Sequence, residues 1–368
     1  MAIAPGWNIS TITGHADPVV GDVAFDSVRH RIWFTEPDYG VVRIDIGTNN
    51  FEIFRWPLVN GARYGSIGVL TDGGVFVGVE NETRMLHLDA DLNALPEFAI
   101  EKPLGVDARE GVAVVLANMG NGRAVVCLDE QGNRIWRRRI ADGANANFFC
   151  GFAPIFCAQD HIIALVCQRS IDCYIIGYDG VIQDRRSLAM APGSWNEDLL
   201  VRSPEQTCTP TGRRYLLDAA YCKKTKSMLF LYAPPSGDHD LVVVQWPIAG
   251  GLPNVYDMPL WASRIFSVNG RIAVFGGETY AGTKKLYTMT LDDLEAVPLE
   301  TFSAISSNSK GGNTAPSIQD LFNAEPISGE FSSEEFRTDD VEPDYGAEAP
   351  VTDDPSILAA NQKAYTPF

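Results

Sequence analysis

The chain lacks any run of about 18 uncharged apolar residues, so the sequence offers no membrane-spanning helix. Basic charge is scarce. There are 29 Lys and Arg against 47 Asp and Glu, a net charge of −18. Such a surface repels phosphate backbones, which argues against sequence-specific nucleic-acid binding and favours basic protein surfaces. No Gly-x-Ser-x-Gly elbow and no P-loop occur, so those two nucleophile and nucleotide motifs are excluded. The five histidines are scattered, at His15, His30, His87, His161 and His239. The seven cysteines are odd in number and form no CxxC pair. That is neither a zinc nor a disulfide framework, and no metal or cofactor is expected from the motifs. Most of the cysteines sit among apolar neighbours, as Cys127 does between Val126 and Leu128, and are expected to be buried thiols. Residues Met1–Gly6 show neither a basic region nor an apolar core, so no signal peptide is expected and synthesis in the cytoplasm is.

What the chain does have is a recurring module. An apolar run ending in Asp appears at Asp45, Asp89, Asp129, Asp179 and Asp292, in steps of 44, 40, 50 and 113 residues. The last step is room for two modules, and Leu241–Trp246 fills it without the Asp. Short strands repeating every 40–50 residues are the signature of propeller blades. Each module reads as four strands, A to D. The B strands are the most apolar, at Arg31–Glu36, Gly74–Glu80, Gly111–Asn118, His161–Cys167, Ser227–Tyr232 and Gly270–Gly276. Near-continuous apolar runs fit strands covered on both faces by neighbouring blades. The A–B turns carry Asp, Gly, Asn and Lys, as in Asp72-Gly73-Gly74 and Asn269-Gly270. The predicted fold is all-β, a six-bladed β-propeller over residues 1–302, with seven blades possible if the long fifth module divides. Two segments compete to close the ring, the strand-like Trp7–Thr13 and Val297–Phe302. Trp136 and Trp246 are expected to pack between blades.

Composition changes beyond residue 303. A linker rich in Ser, Asn and Gly covers 303–313, and residues 303–368 hold twelve acids against three bases, half of the net charge. This segment cannot bury enough apolar surface to fold alone. It carries spaced apolar points at Ile318, Leu321, Phe322, Phe331, Phe336, Tyr345, Ile357, Leu358, Tyr365 and Phe368, and 316–322 could form a short helix. The expectation is an extended acidic arm ordered by a partner, with those residues as anchors.

Glu36, Asp38, Glu80, Glu82 and Glu278 fall in B–C loops and would ring one face. Their spacing matches no calcium loop. The segments Gly21–Asp26, Arg31–Glu36 and Gly40–Asp45 resemble one blade of the streptogramin lyase and NHL-repeat propellers. That resemblance implies a divalent cation with a Glu ligand and a His base. Related lactonase propellers imply Glu, Asn and Asp around an axial calcium, for which Glu36, Asn118 and Asp218 are the candidates by residue type. The overall architecture is similar to the nozzle or hub propellers of phage tails, without a shared motif. Two functional readings follow. The first is a non-enzymatic structural propeller of a large assembly, a virion component, with protein neighbours docked through the arm. The second is a metal-dependent lyase or lactonase.

Overall fold

In the computed structural model the described residues are 7–15, 18–48, 50–55, 62–80, 82–119, 122–142, 155–167, 171–188, 215–233, 241–249, 254–268, 271–278, 283–297 and 341–343. They form six antiparallel sheets of four or five strands arranged as a six-bladed propeller. Blade 1 runs Asp22–Asp26, Arg31–Glu36, Gly40–Asp45 and Asn50–Phe54. Blade 2 runs Arg63–Val69, Val75–Glu80, Arg84–Leu88 and Ala94–Ala99. Blade 3 runs Pro103–Arg109, Val112–Asn118, Gly122–Asp129 and Arg134–Asp142. Blade 4 runs Ile155–Cys157, Ile162–Cys167, Ile171–Ile176 and Ile182–Leu188. Blade 5 runs Tyr215–Cys222, Ser227–Ala233, Val242–Pro247 and Asn254–Asp257. Blade 6 contributes Trp261–Val268, Arg271–Gly277 and Lys285–Met289.

In blades 2, 3 and 4 the Asp that marks the module caps its C–D hairpin, whereas Asp45 of blade 1 accepts from Arg31 Nε instead. Asp129 Oδ1 accepts from the backbone N–H of Gln131 and Asn133, and its Oδ2 accepts from Asn133 Nδ2. Asp89 repeats the same set with Asp91 and Asn93. An acceptor two residues before the turn's donors is the geometry that favours Asp there. Asp26 does the equivalent in the A–B turn, accepting from Val28 and Arg29 N–H at 3.0 Å each.

The core is divided into six wedges, one at each junction between adjacent blades. Trp33, Tyr64 and Val77 pack between blades 1 and 2. Phe76 and Val115 pack between blades 2 and 3. Trp136 packs with Ile155 and Tyr174 between blades 3 and 4, and Trp246 with Ile163 and Leu165 between blades 4 and 5. Both tryptophans therefore take the inter-blade role expected of them. Strand B side chains face a wedge on either side, which is why those runs are apolar throughout.

The ring closes on the N-terminal segment, but with fewer strand residues than its β-branched sequence suggests. Only Trp7–Asn8 pairs, opposite Leu286 and Lys285, in the outer position of blade 6. Ile9–Thr13 is a short helix instead. Asn8 accepts from Thr11 N–H as its N-cap, and Gly14, at φ 71°, ends it in a left-handed C-cap. Local capping thus overrides strand propensity, and Ile9 is fully buried between blades 6 and 1. The competing segment joins a different blade. Glu295–Val297 adds to the outer strand of blade 5, with Val255 opposite Val297. Residues 298–302 lie outside the described residues.

Four of the cysteines, Cys127, Cys157, Cys173 and Cys222, are buried and take part in no disulfide. Burial pushes the Cys127 thiol up to about 12, consistent with a packing role.

Candidate functional site

Strand A of every blade faces the axis. Together these strands line a cavity of about 530 Å³, to which Asp22, Ile67, Asp107, Ile155, Asp218 and Ile265 each contribute from a different blade. Three of the six are acids, and they come from blades 1, 3 and 5. Each plays the same part. Asp22 Oδ2 accepts from Ile67 N–H on blade 2 at 2.9 Å, Asp107 Oδ2 from Cys157 N–H on blade 4 at 2.7 Å, and Asp218 Oδ2 from Ile265 N–H on blade 6 at 2.8 Å. The other oxygen of each accepts from the next residue's own N–H, at 2.8–2.9 Å. Asp218 is fully buried and Asp22 is 8% exposed. Burial pushes the Asp22 carboxyl up to about 8 against the opposing hydrogen bonds from Ile67 and Val23 N–H, with the charges of Asp107 and Asp218 as smaller contributions to the rise. Burial pushes Asp218 up to about 7, against the opposing pull of Arg264. Arg264 is 4% exposed, and its Nε and Nη1 have no hydrogen-bond partner.

Glu36 ends strand B of blade 1 and is 1% exposed. Its Oε1 lies 3.4 Å from His15 Nδ1 and accepts from Val19 N–H, while Oε2 has no partner. Burial raises its pKa. His15 stacks on Tyr39, over which Arg55 lies at 4.2 Å. Asn118 Oδ1 accepts from Arg123 Nη1 at 2.8 Å within blade 3. Glu36, Asn118 and Asp218 thus each have separate partners. Among the described residues no group of three or more His, Cys, Asp or Glu side chains is placed to hold a metal ion. Two acids of the B–C loop face are compensated locally, Asp38 by Arg63 at 2.9 Å and Glu82 by Arg84. Glu80 is raised by burial, with Arg264 and Arg63 opposing.

Asp22 and Asp107 escaped the sequence reading, though each is an acid inside an otherwise apolar inner strand, a visible oddity. His15 escaped because it precedes the first blade, and only ring closure brings it to Glu36.

The arm anchors Ile318, Leu321, Phe322, Phe331, Phe336, Tyr345, Ile357, Leu358, Tyr365 and Phe368 lie outside the described residues, as does the 316–322 segment. One piece of the arm is described. Val341–Pro343 adds as a fifth, antiparallel strand to blade 3, with Val341 opposite Arg138, Glu342 opposite Arg137 and Pro343 opposite Trp136. The contact is within its own disc.

No family model matches the chain, and no curated protein matches it. Solved structures with a similar fold include U3-55K, at 10% identity and a TM-score of 0.48, covering 74% of this chain and 95% of that one. The WD40 repeats of RRP9 align at 10% identity and 0.46, covering 77% and 96%. A streptogramin B lyase aligns at 14% identity and 0.46, covering 78% and 87%. These are likenesses of fold, shared by scaffold and enzyme propellers alike.

Proposed function

We propose that this protein is a non-enzymatic structural propeller, a subunit of a large assembly of the phage tail nozzle or hub kind, which engages its neighbours through the acidic arm. The observation that supports this is the strand addition on blade 3. Its outer strand Arg134–Asp142 is nine residues long and carries Arg134, Arg137, Arg138 and Arg139 in a chain of net charge −18. An outer strand offers a row of backbone donors and acceptors to an extended segment. Here an acidic segment takes that edge, in a register that sets a Glu opposite an Arg. The 43 residues between Val297 and Val341 could extend to roughly 140 Å, so the arm of a neighbouring copy can make the same pairing.

The test is the native mass of the full chain beside that of a chain ending at residue 302. The full chain is expected as a multimer and the shortened one as a folded monomer. Equal multimers from both would defeat the reading.

A second reading, a divalent-cation-dependent lyase or lactonase, is favoured by one observation: the buried Glu36 carboxyl with a free oxygen beside His15. Calorimetric titration with calcium and with magnesium tests it. Heat of binding that disappears in Glu36→Ala would support it, and no heat from the native protein would end it.

A further inference from the structure

The axial cavity, about 530 Å³, has two unlike ends. Asp218 and Lys223 both line it from blade 5, and the residues between them, Ala219–Cys222, part them by roughly 16 Å of extended strand. Asp22 and Ser27 line it with the same spacing on blade 1. One end is therefore the layer of aspartates, and the other is a mouth at the A–B turns.

The aspartates are already engaged. Each has both oxygens on backbone N–H groups, so none is left aimed at a ligand. The lysines are not engaged. Lys223 and Lys224 lie in the turn that follows Tyr215–Cys222, exposed at the mouth and lining the cavity. Neither side chain has an ion-pair or hydrogen-bond partner among the described residues. The turn that presents them is pinned. Ser227 Oγ donates to the Thr225 carbonyl at 3.1 Å, Ile248 N–H donates to the Lys226 carbonyl at 3.3 Å, and Lys226 closes the turn at φ 50°. Lys223 leans inward far enough for its charge to act on the buried Cys157 thiol of blade 4. Between the two ends the wall is apolar. Phe25, Val69 and Phe156 are only partly buried by their own wedges, and Tyr221 and Phe266 complete the wall.

We infer that the axial cavity binds an amphipathic organic anion, its apolar body lying between the inner strands and its carboxylate or sulfonate held by Lys223 and Lys224 at the mouth.

Small-molecule sites are commonly concave, roughly 300–1,000 Å³, with apolar walls and a few convergent polar groups. Charge then selects the ligand. A cationic head meets two ammonium groups at the mouth. An anionic head is drawn to them and repelled by the aspartates beyond, which fixes its orientation. Covering Phe25, Val69 and Phe156 supplies the apolar share of the affinity. The site needs neither the arm nor a metal ion, so it stands apart from both readings above.

The experiment titrates the full chain at neutral pH with decanoate, decanol and decyltrimethylammonium by calorimetry. Decanoate is expected to bind saturably, one per chain, and at least tenfold more tightly than the other two. In the Lys223→Gln/Lys224→Gln variant the decanoate affinity should fall at least fivefold while that of decanol stays the same. No saturable decanoate binding, or a cation bound as tightly as the anion, overturns the inference, as does an unchanged decanoate affinity in a folded variant. Should the variant not fold, the native protein decides the location. Photo-crosslinking with a diazirine-bearing decanoate should label peptides that contain Phe25, Phe156 or Tyr221. Labelling confined to other peptides overturns the inference.

Discussion

Single residues in this protein work mainly by capping turns and joining strands. Asp129 is the clearest case, because three donors converge on its carboxylate in an exposed hairpin. Asp129→Ala is expected to cost about 1–2 kcal/mol, with a smaller loss for Asn, read as a shifted urea midpoint at constant slope. Gly180 is demanding in another way. It sits at φ 82° in the blade 4 hairpin, and an added Cβ would meet the Trp136 ring at 3.1 Å. Trp136 itself is held there by donation from its Nε1 to the Tyr178 carbonyl at 2.8 Å. Gly180→Ala should cost about 1–3 kcal/mol by the same assay, through left-handed strain and displacement of the indole. The repeated Asp was legible in the sequence because turn chemistry is local. The partner of Glu36 was not, since His15 is 21 positions away and meets it only after closure.

At the scale of elements, strands were readable because each B strand is apolar on both faces and bounded by turn residues. Element ends were less so. The Ile and Thr residues of 9–13 suggested a strand, yet Asn8 and Gly14 cap them as a helix. Deleting residues 1–13 removes the outer strand of blade 6 and the buried Ile9 with it. The expected outcome is a lower thermal midpoint and concentration-dependent aggregation by light scattering, because the edge of Lys285–Met289 loses its partner. Phe230 belongs to the wedge between blades 4 and 5 and is fully buried. Phe230→Ala should cost about 3–5 kcal/mol in chemical denaturation. Strand addition on blade 3 is an element-level event too. It pairs backbone to backbone, so sequence registers only its charge, the arginines of 134–139 and the acids of the arm.

For the whole molecule, the wedge arrangement means that each blade is stable only between two others. Among the described residues the buried clusters lie at the six junctions, with no single central core to hold the disc if one opens. The inner aspartates add polar joints at three of the six junctions. Net charge sets a second condition. If the acidic arm meets the arginine strand of a neighbour, raising the salt concentration should weaken the assembly, which sedimentation at low and high salt would show as a shift to smaller species. Salt-independent sedimentation would point to contacts made by the apolar anchors instead.

The amino-acid sequence alone determined the repeat, the apolar B strands and the break in composition at residue 303, and it left the choice between six blades and seven open. These depend on periodicity and turn chemistry, which act over a few residues. Tertiary structure decided which segment closes the ring, which acids reach the axis, and that those acids serve alternate junctions. Such choices depend on which strands come within hydrogen-bonding distance around a closed circle, and residues 45 to 50 positions apart meet there only once the disc has formed.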